Sequence, residues 1–104
     1  MRLLSVKILL VLSLLSSPLL WAESFWIDVR GADEYNQAHV EGAVNIPHTE
    51  ISEKIAGVTT NKDDEINLYC RSGRRAGIAK EALEKMGYTH VINHGGYSDV
   101  VNKH

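Results

Sequence analysis

Cysteine is almost absent from this sequence, and its scarcity limits what the chain can be. The 104 residues include a single cysteine, Cys70. An internal disulfide is therefore impossible, although small exported domains often depend on disulfides for stability. A lone cysteine in an exported chain indicates either pairing with a partner molecule or a thiol kept for its reactivity.

The chain also lacks a strong excess of one charge, internal repeats and low-complexity tracts. Eleven basic and thirteen acidic residues give a net charge of −2. This balance argues against nucleic acid or an anionic membrane as a partner. A chain of this length forms one domain at most, and we expect a monomer because the pattern indicates no long apolar patch.

The first 22 residues are typical of a secretory signal peptide. Arg2 and Lys7 form a basic start, and residues 8–22 follow without a charge. This apolar run of 15 residues is too short to span a bilayer comfortably, and an uncleaved membrane anchor is the alternative. We expect cleavage after Ala22, leaving residues 23–104 as the mature domain with a net charge of about −4. The predicted location is the periplasm, with no membrane association after cleavage.

Short apolar runs alternate with helical patterns along the rest of the chain. We predict strands at 25–29, 43–46, 66–69 and 89–92, helices at 31–38, 49–57 and 76–86, and a last short segment at 97–101. This alternation is typical of an α/β fold with a central parallel sheet and helices on both faces. The residues expected on the buried face of the third helix are Ile78, Ala79, Ala82, Leu83 and Met86.

The loop after the third predicted strand is the candidate active site. Residues 68–77 read LYCRSGRRAG, so that Cys70 is followed by Arg71, Ser72, Gly73, Arg74 and Arg75. Gly73 allows a tight turn in which backbone N–H groups point inward as an anion-binding nest. The next helix, expected to begin near Arg75 or Ala76, adds partial positive charge. Such a partly exposed setting stabilises a thiolate, and the arginines attract an anionic substrate. The alternative is a buried cysteine that packs as a small hydrophobic residue.

Several segments of the chain, in this order, resemble the rhodanese (thiosulfate sulfurtransferase) family. The CRSGRR loop is similar to the family's active-site loop, WIDVR at 26–30 to its opening motif, and HVEGAVNIP at 39–47 to its central segment. The segments MGY at 86–88 and NHGGY at 93–97 are similar to its late elements, with Tyr97 in place of the usual tryptophan. Within the family, the chain most resembles the single-domain, exported sulfurtransferases of the phage-shock-protein-E type.

This resemblance implies a minimal rhodanese-like fold and a reaction. The Cys70 thiolate would take the outer sulfur of thiosulfate as a persulfide, release sulfite, and pass the sulfur to cyanide or a thiol acceptor. Backbone N–H groups of residues 71–75 would cradle the persulfide. The implied reaction needs no metal and no organic cofactor, because the thiolate is itself the nucleophile.

The spacing between Cys70 and Arg75 distinguishes sulfur transfer from phosphatase or arsenate-reductase chemistry. It is C-x4-R, whereas phosphatases and arsenate reductases that resemble rhodaneses use the longer C-x5-R, so the loop favours sulfur transfer. A phosphatase-like or arsenate-reductase-like enzyme is one alternative, and a rhodanese-like module that binds or regulates without turnover is another. Thiol–disulfide exchange with a partner molecule is a third alternative. A second cysteine would favour it, and the chain has none.

Other polar residues of these motifs are interpreted as structural. Asp28 and Arg30 are expected to brace the end of the first strand through hydrogen bonds, and His39 to form a structural hydrogen bond. His90 and His94 lie in a strand and turn with no cysteine nearby, so we do not expect a zinc site.

Overall fold

One parallel sheet organises the chain. A computed structural model describes residues 22–103, so the predicted signal peptide lies almost wholly outside the described residues. Within them the strands are β1 (Ser24–Asp28), β2 (Val44–Asn45), β3 (Glu65–Cys70) and β4 (His90–Gly96). The helices are α1 (Ala32–Gln37), α2 (Ile51–Lys54), α3 (Arg74–Lys85) and α4 (Tyr97–Lys103), and the short 3-10 helices His48–Glu50 and Ile55–Gly57 flank α2. The strands lie in the order β2-β1-β3-β4 and are all parallel, which confirms the predicted α/β fold.

Both faces of the sheet are covered, because alternate residues of each strand point to opposite sides. On one face, Leu68 and Cys70 of β3 pack in a large apolar cluster with Ile55 and with Leu83 of α3. On the other face, Tyr69 packs in a smaller cluster with Val100 of α4. All of these side chains around the central strand are buried. The prediction of helices on both faces is confirmed.

The buried face of α3 is narrower than predicted. Ala79 and Leu83 are buried as expected, but Ile78 is 44% exposed and Met86 is 37% exposed. Ala76, Ala79 and Leu83 follow the three-and-four spacing of a single helical stripe, and Ile78 lies to one side of it. Met86 follows the last helical residue, Lys85.

Two boundaries near Cys70 differ from the predicted ones. Helix α3 begins at Arg74 because Gly73, with φ +97°, serves as its N-cap. Strand β4 continues to Gly96 instead of ending at 92, and α4 follows at once. The longer strand pairs Gly96 with Cys70, after a register irregularity between Leu68 and Cys70. The junction between β4 and α4 therefore lies beside the loop that follows Cys70.

Candidate active site

Cys70 is the last residue of the central strand β3, at the carboxyl edge of the sheet. Ligands of open parallel sheets bind at this edge. The side chain is fully buried, whereas the sequence predicted a partly exposed one. The physical reason is strand alternation, since Cys70 points to the same face as Ile66 and Leu68 and joins their apolar cluster.

Two backbone N–H groups converge on the sulfur of Cys70. The N–H of Gly73 donates to Sγ at 2.9 Å, and the N–H of Ala76 does so at 3.4 Å. Ala76 lies in the first turn of α3, where unpaired N–H groups and the helix dipole produce partial positive charge. The sequence placed the donors among residues 71–75 and so missed Ala76. Its position shows that the first turn of the helix, and not the loop alone, surrounds the sulfur.

The three arginines of the loop are placed differently. Arg71 and Arg74 are exposed, as is Ser72. Arg75 is turned to α1, where its Nη1 and Nη2 donate to the two carboxylate oxygens of Glu34 at 2.8 and 3.0 Å. The hydrogen bond to Arg75 lowers the pKa of Glu34 to about 2, and the same bond raises the pKa of Arg75. Because this pairing occupies the Arg75 guanidinium, Arg71 and Arg74 are better placed to meet an anion.

An open cavity of about 320 Å³ adjoins the start of the loop. Its lining residues are Arg30, Glu34, Gln37, Arg71, Tyr97 and Ser98. Arg71 connects this cavity to the site, because it directly follows Cys70 in the chain. The cavity is therefore polar and partly cationic, and it shares Arg71 with the loop.

A buried ion pair braces the end of β1, as predicted for Asp28 and Arg30. Nε and Nη2 of Arg30 donate to the Asp28 carboxylate at 2.7 to 3.0 Å, and Nη2 also donates to the carbonyl oxygen of Ala38 at 2.6 Å. The bond to Asp28 raises the pKa of Arg30. The guanidinium carbon lies 5.5 Å from the ring centre of Tyr69 and 5.0 Å from that of Tyr97, within reach of a cation–π contact.

The junction between β4 and α4 packs against the loop, which the sequence reasoning missed. Asn93 Nδ2 donates to the carbonyl oxygen of Gly73 at 2.9 Å, and Asp99 Oδ2 accepts the N–H of Gly96 at 2.8 Å. A Cβ atom on Gly96 would collide with the carbonyl oxygen of Arg71. The pair of glycines after Asn93 was the available signal, because adjacent glycines in a strand often mark a close backbone approach.

His39 and His94 make structural contacts. His39 Nδ1 lies 2.8 Å from the carbonyl oxygen of Tyr35 and its ring stacks on that tyrosine, which confirms its structural hydrogen bond. His94 Nε2 lies 2.7 Å from Oδ1 of Asn67. Among residues 22–103, no group of three or more His, Cys, Asp or Glu side chains is arranged to hold a metal ion.

The fold and the placement of Cys70 define a rhodanese-like domain, and comparison with known proteins agrees. A family model described as the rhodanese-like domain matches residues 13–103, and the chain belongs to this family. The thiosulfate sulfurtransferase PspE of Escherichia coli K12 is similar to it, with 49% identity over 94 residues that cover 90% of each protein. A putative mitochondrial thiosulfate sulfurtransferase of Schizosaccharomyces pombe is 36% identical over 81 residues, covering 67% of this chain and 57% of that protein.

A solved structure shows the same likeness. The structure described as a rhodanese with anions from E. coli has a TM-score of 0.71 and 51% identity, covering 73% of this chain and 89% of the other. The predicted resemblance and the prediction of a sulfurtransferase enzyme are confirmed by these relatives. In the described part of the chain, none of the helices has the length and apolar character needed to cross a membrane.

Proposed function

We propose that the chain is a thiosulfate sulfurtransferase in which Cys70 carries the sulfur. The observation that carries this proposal is the convergence of the Gly73 and Ala76 N–H groups on Cys70 Sγ. Donated hydrogen bonds and a helix N-terminus favour an anionic sulfur, which is the nucleophilic form. The activity named for the similar E. coli and fission-yeast proteins supports the choice of thiosulfate.

The first half-reaction is a displacement at sulfur. The Cys70 thiolate attacks the outer sulfur of thiosulfate, a new S–S bond forms, and the bond between the two thiosulfate sulfurs breaks. Its electron pair leaves with sulfite, and Cys70 holds an anionic persulfide. Backbone N–H groups of the loop and of the first turn of α3, those of Gly73 and Ala76 among them, would hold this charge, with Arg71, Ser72 and Arg74 at the exposed rim.

In the second half-reaction, cyanide or a thiolate attacks the outer sulfur of the persulfide. Thiocyanate or a new persulfide leaves, and the Cys70 thiolate is restored. Charge and electrons balance in both steps without a metal or an organic cofactor, and the scheme predicts ping-pong kinetics. Because Cys70 is fully buried, some of the residues around it must shift for either reactant to reach Sγ.

Thiocyanate production from thiosulfate and cyanide tests the proposal. We expect turnover by the wild-type chain and none above background by Cys70→Ser, which keeps the size of the side chain but removes the soft nucleophile. Mass spectrometry of the wild type after thiosulfate treatment should show one added sulfur on Cys70. Equal rates in the two proteins would refute a role for Cys70, and a wild type with neither turnover nor adduct would identify a module that binds without catalysis.

The contacts of Arg75 disfavour the phosphatase-like alternative. An enzyme that binds phosphate would direct this arginine to the oxyanion. Here both terminal nitrogens of Arg75 donate hydrogen bonds to Glu34 instead. The loop is also one residue shorter than C-x5-R.

We also propose export to the periplasm, where the chain would act as a monomer. Support comes from the basic start and apolar run of residues 1–22. N-terminal sequencing of the protein recovered from the periplasm should begin at Glu23. Recovery of the intact chain in the membrane fraction would instead favour the uncleaved anchor.

A further inference from the structure

The side chain of Asn93 binds two backbone groups at once. Its Nδ2 donates to the carbonyl oxygen of Gly73 at 2.9 Å, and its Oδ1 accepts the N–H of Gly95 at 2.9 Å. Gly73 is also the residue whose N–H donates to Cys70 Sγ at 2.9 Å. The Asn93 side chain on β4 therefore fixes Gly73, the residue whose N–H donates to the sulfur of Cys70.

Gly73 needs such an anchor because glycine can adopt more backbone conformations than any other residue. Its φ is +97°, and it forms the turn between the loop and α3. Within α3, its carbonyl oxygen accepts the N–H of Gly77 at 3.0 Å, which fixes the start of the helix. Asn93 adds a second donor to this carbonyl oxygen and ties it to the neighbouring strand.

The backbone of the β4–α4 junction reinforces this contact. A Cβ atom on Gly73 would lie 3.4 Å from the Cα of Gly95, so the two glycines are in close contact. Because Asn93 also fixes the N–H of Gly95, it holds both sides of the contact. Its loss would leave the carbonyl oxygen of Gly73 with the Gly77 N–H as its remaining donor among those described here for it.

We propose that Asn93 is a positioning residue for Cys70. It orients Gly73 so that the Gly73 N–H points at the sulfur, and it acts through that residue without touching the substrate. The inference rests on the proposed role of Cys70 as the sulfur carrier. Loss of one well-placed hydrogen bond amounts to about 1.4 kcal/mol, so Asn93→Ala should lower kcat/KM for thiosulfate about tenfold.

Asn61 provides a matched control for Asn93. Its Oδ1 accepts the N–H of Asp63 at 3.0 Å, which is the same two-residue spacing as between Asn93 and Gly95. It precedes β3, whereas Cys70 ends that strand, so the two lie at opposite edges of the sheet. Asn61→Ala thus removes the same kind of turn without affecting Gly73.

The experiment follows the thiolate of Cys70 by its ultraviolet absorbance as a function of pH, with Cys70→Ser subtracted as background. In Asn93→Ala the midpoint of thiolate formation should move to higher pH than in the wild type, and in Asn61→Ala it should not move. A serine at position 93 can still accept the Gly95 N–H but is too short to replace the donor to Gly73. Asn93→Ser should therefore behave like Asn93→Ala.

Three outcomes would overturn the proposal. One is a wild-type midpoint in Asn93→Ala, another is an equal shift in Asn61→Ala, and the third is a wild-type midpoint in Asn93→Ser. Circular dichroism of each variant establishes that it is folded before titration. The titration does not depend on sulfur transfer, so a wild type inactive with thiosulfate would refute the proposed function while the role of Asn93 was still measured.

Discussion

At the scale of single residues, Glu34 determines where the guanidinium of Arg75 points, because its carboxylate accepts hydrogen bonds from both terminal nitrogens. Their side chains are 31% and 24% exposed, so the pair lies at the surface of the site and is moderately screened. It links α1 to the first turn of α3, next to the residues that surround Cys70. Glu34 therefore serves the site by engaging an arginine that the sequence assigned to the substrate.

Replacing Glu34 tests this pairing through pH. The pKa of Glu34 falls from an ordinary value of 4.5 to about 2, chiefly through its bond to Arg75. A carboxyl group with a lowered folded-state pKa stabilises the fold above its unfolded pKa and ceases to do so as pH falls through the folded value. Urea unfolding should show Glu34→Gln less stable than the wild type by about 1 kcal/mol at pH 7. The difference should disappear as the pH falls from 4.5 to about 2.

Glu81→Gln is the control for this experiment. Glu81 pairs with Lys85 at 3.3 Å on the outer surface of α3, where both side chains are more than two thirds exposed. We expect its effect on the free energy of unfolding to be small at every pH. A pH-independent difference between Glu34→Gln and the wild type would show that the ion pair is not what stabilises this corner.

At the scale of elements, the β4–α4 junction and the Cys70 loop form one packed unit. Gly96 pairs with Cys70 across the two strands and lies directly against the carbonyl group of Arg71. Asp99, in the first turn of α4, holds the N–H of Gly96. The loop that carries the candidate nucleophile is thus supported by a segment more than 20 residues away in the chain.

Gly96→Ala should disrupt this unit. The added methyl group must displace either the Arg71 carbonyl or strand β4, at a cost of about 1–3 kcal/mol. We expect a lower urea midpoint and at least a tenfold loss of kcat/KM with thiosulfate, because small displacements of reacting groups are costly. Gly57→Ala is the comparison, since a methyl group added there would extend into open space, with nothing from the rest of residues 22–103 within 4 Å. Equal stability and turnover of the two variants would contradict the close packing of Gly96 against the Arg71 carbonyl group.

The sequence predicted those elements that depend on local patterns. The order of strands and helices follows from short-range periodicity, and the site was found from Cys70 and its neighbours. The bond between Glu34 and Arg75 joins residues 41 positions apart, and Asn93 lies 20 positions from Gly73, so no local pattern encodes either contact. The burial of Cys70 could have been predicted from the sequence, because Ile66, Leu68 and Cys70 alternate along one face of β3. The adjacent arginines led instead to the prediction of a partly exposed side chain.

At the scale of the whole molecule, local and overall charge act in opposite directions on thiosulfate. The chain carries a net charge of −2, which repels a dianion, whereas Arg71 and Arg74 are exposed beside Cys70. Arg71 also lines the adjoining cavity. Charges this close to the site act within the screening length of about 10 Å at 0.1 M salt, so they should dominate the approach of the substrate.

The Michaelis constant for thiosulfate should therefore rise with ionic strength in the wild type. Arg71→Ala should raise it several-fold at low salt and flatten its dependence on salt, because it removes an exposed cation next to Cys70 in the chain. Lys62→Ala removes the same charge near the opposite edge of the sheet and should leave both quantities close to wild type. A Michaelis constant insensitive to salt and to Arg71 would mean that the backbone N–H groups alone capture the anion.

The complete burial of Cys70 has a consequence for the fate of the molecule as well as for its chemistry. A thiol on the surface can couple with the same thiol of a second copy, and the resulting disulfide would consume the candidate nucleophile. Here Cys70 is buried, with the N–H groups of Gly73 and Ala76 on its sulfur, so a second copy of the chain cannot reach it without a rearrangement of the site. A reactant of a few atoms would need a smaller rearrangement than a whole protein. The burial therefore favours small reactants over a second protein molecule, which protects the single cysteine from disulfide formation between copies.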